Sequence, residues 1–483
     1  MPDFVLKIIR EFGAIISFTI AFIIPIAVSV LSFPDFALSP IVTLELLIFL
    51  ATFSALMVSI ATVVLIKQPR SIAICLLLLI LVLSINKPEL LKTSDHWGHD
   101  RWPIKIFKNY LFQVTSLIII PLQVGLWRLN FPVIKWTKRC FIALGLFQCA
   151  VVLLQLLSIS YENVNVFNVL GLYNKSYYTV RDGSRHFQDA SRLTGTLNSP
   201  ILLSMLLVMT WPAILFSSTC VTKQSKRTII LLALLKAPLV LIFLWAVCHT
   251  YTRAAYIALS LQIATITLYW FKLPKLRFRL GVALVIIFSC LLAAISLTPH
   301  SAERFGAITD ISDRSITNRL FVYVSCVEFL LERPLSGWGA SFFYFLYNTE
   351  SKLPGVNYVF YDVHSSVFNV LMEIGVIGVA LSVVIVTPFK LMVFFNRAPV
   401  WMIICFVGII IPFLVDNPSA CPALLFLIVW LTGVLLITVM QIDNEINQNI
   451  LKSRLRIFHW VCFVLFAIWL IGYFQPIRPV GLT

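Results

Sequence analysis

Long apolar runs separated by short polar breaks set the pattern of this chain. Gly13 to Leu31, Ser71 to Ser84, Leu280 to Leu297 and Val461 to Ile471 are apolar for most or all of their length. That is the scale of the roughly 20 residues that carry a helix across a bilayer. The runs do not alternate polar with apolar residues, as the strands of a membrane barrel do. The pattern predicts an all-α, polytopic membrane protein of about 12–13 spans and a single integral membrane domain over 1–483. The spans are expected near 13–32, 41–66, 71–86, 109–127, 140–159, 197–218, 228–248, 254–271, 280–298, 366–388, 400–415, 421–440 and 458–474.

Composition agrees, since 60% hydrophobic and 12% charged residues leave too little polar surface to cover a water-soluble globule of this size. The formal charge of +16 would raise the question of nucleic acid in a soluble chain. Here the excess sits in alternate short loops: Lys67/Arg70, Arg128/Lys135/Lys138/Arg139, Lys223/Lys226/Arg227, Lys272/Lys275/Arg277/Arg279, Lys390/Arg397 and Lys452/Arg454/Arg456. Each set falls on the side of Lys7 and Arg10, which the positive-inside rule assigns to the cytoplasm, so no nucleic acid partner is implied. The first apolar run is too long for a signal peptide and reads as an uncleaved span. Cys75, Cys149, Cys290, Cys405 and Cys462 lie inside apolar runs and no CxxC occurs, so the cysteines read as small core residues.

The outer face then receives 87–108, 160–196, the short 249–253 and 299–365, the longest loop. His96, His99, His186, His249, His300 and His364 fall on or beside this face. So do Arg181, Arg185, Arg192, Arg253, Arg304, Arg314, Arg319 and Arg333, where the orientation rule depletes basic residues; the excess calls for an anionic partner. Within the long loop, Asn318 to Glu332 has a helical pattern, Pro334 to Gly339 is turn-rich and Ser341 to Tyr347 is aromatic. This predicts a helical hairpin on the outer surface, its aromatics at headgroup level.

Several clusters could carry chemistry. Arg192 through Thr196 to Pro200 combines a planar guanidinium suited to phosphate with glycine and hydroxyls; the alternative is a helix-entry turn with a snorkelling arginine. His249 to Arg253 holds Arg253 at the membrane surface, again with snorkelling as the alternative. Arg319 leads to Glu332 and then to Arg333, Gly337, Trp338 and Gly339, which also reads as a turn with an interfacial tryptophan. His364 opens a span, where a neutral imidazole could take a proton from a sugar hydroxyl. Glu373, nine residues on, lies roughly 14 Å deeper along a helix, and serves either substrate or helix packing; Glu45 and Asp416, near outer span ends, carry the same two readings. Asp95 to Asp100 has metal-ligand types but only two histidines, and the chain has no Asp-x-Asp pair, so no metal site and no cofactor is expected.

Together these pieces resemble the O-antigen ligase and Wzy-type O-antigen polymerase family over roughly 190–380. The carrying elements are Arg192-x-x-Gly195-Thr196, Thr252-Arg253, Arg319 with Tyr323, Arg333-Pro334-Leu335-x-Gly337-x-Gly339, and His364 leading to Glu373-x-Gly375-x-x-Gly378. Ile201, Thr252 and Ser365 depart from the residues common in the family. The resemblance implies a metal-independent glycosyltransferase of the bacterial inner membrane with a periplasmic site. Its donor would be an undecaprenyl-diphosphate-linked glycan, with the lipid tail lying between spans. For an O-antigen ligase the acceptor is lipid A-core; for a polymerase it is another carrier-linked glycan. His364 would be general base, with Arg253 and Arg319 stabilising the leaving diphosphate. Arg192, Thr196, Thr252, Arg333, Gly337, Gly339 and Glu373 would bind substrate. A flippase or polysaccharide exporter, with no covalent chemistry, is the reading of another class; it would be expected to carry charges along its spans, where only Glu45, Lys236 and Glu373 stand out.

Overall fold

The computed structural model describes residues 132–160, 191–193, 195–197, 200–216, 226–272, 277–298, 314–339, 363–386, 398–415, 422–445, 464–468 and 470–472, with isolated positions such as Gln123, Tyr178–Thr179 and Phe343. The expected spans before residue 109, most of 109–127, the Asp95–Asp100 cluster, Glu45 and Asp416 lie outside the described residues.

What is described is helical apart from one antiparallel pairing, Tyr178–Thr179 with Ser191–Arg192. In chain order the helices are α1 (Val133–Ser160), α2 (Pro200–Thr210), α3 (Pro212–Leu215), α4 (Lys226–Cys248), α5 (Arg253–Lys272), α6 (Arg277–Leu297), α7 (Arg314–Glu332), α8 (Ser366–Val386), α9 (Val400–Val415) and α10 (Pro422–Glu445). A single 3-10 turn, Gly195–Leu197, precedes α2. Among the described residues, segments of α1, α4, α5 and α6 are long and apolar enough to cross a bilayer: Val133–Leu156, Lys226–Cys248, Arg253–Phe271 and Leu280–Leu297. Several helix starts fall earlier than the hydropathy placed them. Lys135, Lys138 and Arg139, expected in a loop, belong to α1, because nothing after Pro132 interrupts helical hydrogen bonding and long basic side chains tolerate the bilayer edge.

Leu231, Leu234, Leu235, Leu268, Val285 and Leu292 are exposed leucines and a valine on these helices, as expected of lipid-facing surfaces where apolar residues cost nothing. Inward, buried amides supply the directional contacts that packing in lipid lacks. The Gln262 side chain donates to the carbonyls of Val208 and Ile404, both at 2.9 Å, and accepts from Trp211 Nε1 at 2.8 Å. This one carboxamide ties α5 to α2 and α9. Helix α7 differs from the rest: Leu320, Phe321, Val324, Val327 and Leu331 form an exposed apolar face, opposed by buried Val322, Cys326 and Phe329. Such a helix suits the interface plane; of the rest of the expected hairpin beyond Gly339 only Phe343 is described.

Candidate functional site

The contacts order the bundle end to end. At one end, Gln155 of α1 clamps Gly195, donating to its carbonyl and accepting from its N–H, both at 3.0 Å. Leu193 N–H donates to the His249 carbonyl at 3.3 Å, and the Thr252 hydroxyl is directed at the carbonyls of Pro200 (3.4 Å) and Thr250 (3.2 Å). The Arg192–Thr196 strip and the His249–Arg253 turn are thereby joined. Gly195 has φ +56°, and a Cβ there would lie 2.6 Å from Gln148 Oε1, so the clamp needs glycine. At the opposite end, Phe141 of α1 meets Trp401 of α9 edge to face, centroids 6.4 Å apart.

Arg253 opens α5. Its turn carries Tyr251 in the left-handed region, φ 49°. His249 packs edge to face on Trp245 at 4.6 Å, and burial pushes its imidazole down to about 4, so at neutral pH it is uncharged. The formal charge of this turn is that of Arg253, set at the start of α5, where the helix dipole also favours an anion.

His364 is held from several directions. It too has φ 49°, a conformation costly for most side chains and seen with enrichment for Asn, Asp and His. The Tyr323 hydroxyl of α7 is directed at the carbonyls of His364 (3.0 Å) and Leu414 (3.3 Å), and the Tyr323 ring stacks on Phe368 at 4.9 Å. Ser365 caps α8: its hydroxyl donates to the Phe413 carbonyl at 3.3 Å and accepts from Phe368 N–H at 3.4 Å. Ser365 thus has a local structural role at the start of α8. Arg319 lies four residues before Tyr323, one turn along the same face of α7.

The two halves share a level. Trp401 marks the far end of α9, so Phe413 and Leu414 lie at the end that holds Arg253. Gln262 bonds Ile404; from there to Arg253 and to Phe413 is nine residues each, a rise of about 13.5 Å along either helix. Arg253, Arg319 and His364 are therefore gathered at one end of the bundle. Arg192 and Thr196 join through their backbone; their side chains lie outside the described residues.

Arg333, Gly337, Gly339 and Glu373 form a second, connected feature. Helix α8 is broken at Gly375 (φ 70°, ψ 179°). In an unbroken helix Met372 and Glu373 carbonyls would take the N–H groups of Val376 and Ile377. Instead Trp338 and Gly339 N–H groups donate to Met372 and Glu373 carbonyls (2.6 and 3.1 Å), while Val376 and Ile377 N–H groups donate to Pro334 and Leu335 carbonyls (2.9 and 3.4 Å). The 334–339 loop thus satisfies all four groups that the break releases. Gly337 has φ +66°, and a Cβ on it would lie 2.5 Å from the Met372 carbonyl; one on Gly375 would strike the Leu335 carbonyl. Trp338 Nε1 donates to Phe329 O at 2.8 Å, and the Arg333 guanidinium lies 4.7 Å over the Trp338 ring. Buried Glu373 accepts from Asn369 Nδ2 at 3.0 Å. Sequence reasoning did not find this insertion, nor the Gln155 clamp, whose one signal was an amide within an apolar span.

A cavity of about 270 Å³ opens between α5 and α6, lined among others by Tyr256, Leu259, Ile263, Phe288 and Leu291. Tyr256 is one turn along α5 from Arg253, so the lining of this cavity begins one helical turn from the basic turn.

The fold and site define a polytopic membrane protein with a basic, histidine-bearing site at one end of its helix bundle. Residues 238–383, about a third of the chain, match the family model described as O-antigen ligase, and over that stretch the chain is similar to that family. The matched stretch takes in Arg253, Arg319, Arg333, His364 and Glu373; Arg192 and Thr196 precede it. A search of curated proteins and one of solved structures return no significant match.

Proposed function

We propose that the chain transfers a glycan from undecaprenyl diphosphate to an acceptor hydroxyl at the periplasmic face of the bacterial inner membrane, with lipid A-core as acceptor. The observation that carries this reading is the gathering of Arg253, Arg319 and His364 at one end of the bundle, beside the apolar cavity between α5 and α6. In the reaction His364 takes the proton from the acceptor hydroxyl, the oxygen attacks the anomeric carbon, and the bond from that carbon to the diphosphate oxygen breaks. The electron pair leaves with the diphosphate. Arg253 and Arg319 stabilise the charge that develops there, the part a divalent ion plays in many sugar transferases. The cavity between α5 and α6 receives the first isoprenoid units. Arg333, Gly337, Gly339 and Glu373 hold α7 and α8, and through them Arg319 and His364, in register.

The same chemistry with a second carrier-linked glycan as acceptor gives a polymerase. Either enzyme takes part in O-antigen assembly, the role the family supports.

The test is transfer by purified protein with carrier-linked donor. Arg253→Ala and Arg319→Ala should weaken donor binding and lower turnover, because the diphosphate is charged before reaction and gains charge as it leaves. Lysine should restore little where both prongs of the guanidinium are used. Activity should survive EDTA. Arginine variants with wild-type specific activity per folded molecule would make these residues mere anchors, and activity lost to EDTA and restored by one divalent ion would overturn the metal-free step.

A further inference from the structure

Helix α9 ends at Val415, so the carbonyls of its last turn have no partner within the helix. Two of them are met from across the site. The Ser365 hydroxyl donates to the Phe413 carbonyl and the Tyr323 hydroxyl to the Leu414 carbonyl, each at 3.3 Å. Tyr323 is also directed at the His364 carbonyl, at 3.0 Å. A phenol has one proton to give, so these two carbonyls share it or exchange it. Three elements thus meet at one hydroxyl: α7 through Tyr323, the start of α8 through His364, and the end of α9 through Leu414.

His364 has no helix of its own to hold it. It precedes Ser365, whose carbonyl takes the first helical N–H, that of Asn369, at 2.9 Å, and its own carbonyl lies outside that ladder. Its φ of 49° is a conformation that persists in most residues only when contacts around it impose it. Fixing the carbonyl direction fixes ψ at His364, and with φ that sets where the Cα–Cβ bond points. Release of the carbonyl frees the turn to relax, and the imidazole is carried with it.

We propose that Tyr323 is a positioning residue for transfer, its hydroxyl pinning the His364 carbonyl so that the imidazole stays where the acceptor hydroxyl arrives. The inference rests on the proposed role of His364 as base. Arg319 lies one turn before Tyr323 on the same face of α7, so one helix sets both the base and a cation for the leaving diphosphate. The ring and the hydroxyl of Tyr323 have separate effects. The ring stacks on Phe368 at 4.9 Å, and Val322, Cys326 and Phe329 seat α7 in a cluster with Trp338, Val363 and Met372; neither contact uses the hydroxyl. Tyr323 and His364 are half-buried and Leu414 is exposed, so water can replace the phenol at these carbonyls. Loss of the hydroxyl therefore costs the fold little and loosens the turn that bears the base.

The experiment compares wild type, Tyr323→Phe, His364→Asn and the double variant as purified full-length protein, with carrier-linked donor and lipid A-core acceptor. Thermal unfolding, donor affinity and turnover per folded molecule are measured for each. Tyr323→Phe should melt close to wild type and bind donor as tightly, yet turn over about 10–100-fold more slowly, the scale of loss when a reacting group is misplaced. In the His364→Asn background the same change should lower the residual rate little, because it acts through the imidazole. Wild-type turnover of Tyr323→Phe beside a slow His364→Asn would overturn this inference alone. So would an equal loss in both backgrounds, which would mean that the hydroxyl acts elsewhere, or failure of Tyr323→Phe to fold, which would make its role structural. His364→Asn with wild-type turnover would overturn the base assignment and this inference with it.

Discussion

A His364→Ala variant is expected to transfer glycan roughly 10²–10⁴-fold more slowly than wild type while binding the carrier-linked donor as tightly, since general-base catalysis acts on the acceptor and contributes on this order. The backbone complicates the test in a useful way. His364 sits at φ 49°, where alanine is strained and asparagine is tolerated. His364→Asn therefore keeps the turn and the Tyr323 contact while removing the base. If the histidine only shapes the turn, His364→Asn should be nearly as active as wild type per folded molecule and His364→Ala should mainly lower the folded yield. If it is the base, both should lose turnover alike. Steady-state turnover and donor affinity, measured on the folded fraction of each variant, separate the two.

Gly375→Ala is expected to be among the most damaging single substitutions in the described part of the chain. The added Cβ meets the Leu335 carbonyl, and the residue's positive φ is one that alanine adopts only at cost. The change strains or opens the four hydrogen bonds that seat the 334–339 loop in the break of α8. A left-handed non-glycine residue costs of order 1–3 kcal/mol, and unpaired buried backbone groups add about 1–3 kcal/mol each. Thermal unfolding of purified protein should show a large loss, with the Arg333–Gly339 loop becoming sensitive to protease. Gly281→Ala is the control. A Cβ there would meet Trp270 Nε1 at 3.5 Å, an ordinary contact, so it should melt close to wild type. Equal melting of wild type and Gly375→Ala would mean that the loop is not seated as described.

The sequence made α1, α4, α5 and α6 legible because each carries an apolar stretch long enough to cross a membrane, and length with hydropathy is a strong signal. It also offered the candidate site as a set of short motifs, because the positive-inside rule makes arginines on the face expected to be outer conspicuous. The joint between two of those motifs was not legible. Arg333-x-x-x-Gly337-x-Gly339 and Glu373-x-Gly375 read as a turn and as part of an uninterrupted span, since a glycine inside a helix costs only about 1 kcal/mol and predicts no break on its own. The reason for the break lies in backbone groups of a loop far away in sequence. Lys138 misled in the opposite sense: it counted as one more loop cation, and only the folded contacts bring it onto the end of α3 beside Lys236. Gln155 and Gln262 were likewise silent, because a lone amide in an apolar run does not say which carbonyls it will meet.

The central claim is that this chain joins a carrier-linked glycan to an acceptor on the outer side of the membrane, and the lipopolysaccharide of a deletion strain tests it most directly. Lipid A-core bearing no glycan, with carrier-linked glycan accumulating at the periplasmic face, is the predicted result for the ligase. Core bearing a single repeat unit would keep the chemistry and move the acceptor to another carrier-linked glycan. Glycan retained on the cytoplasmic side of the membrane would contradict the account, because the missing step would then be transport.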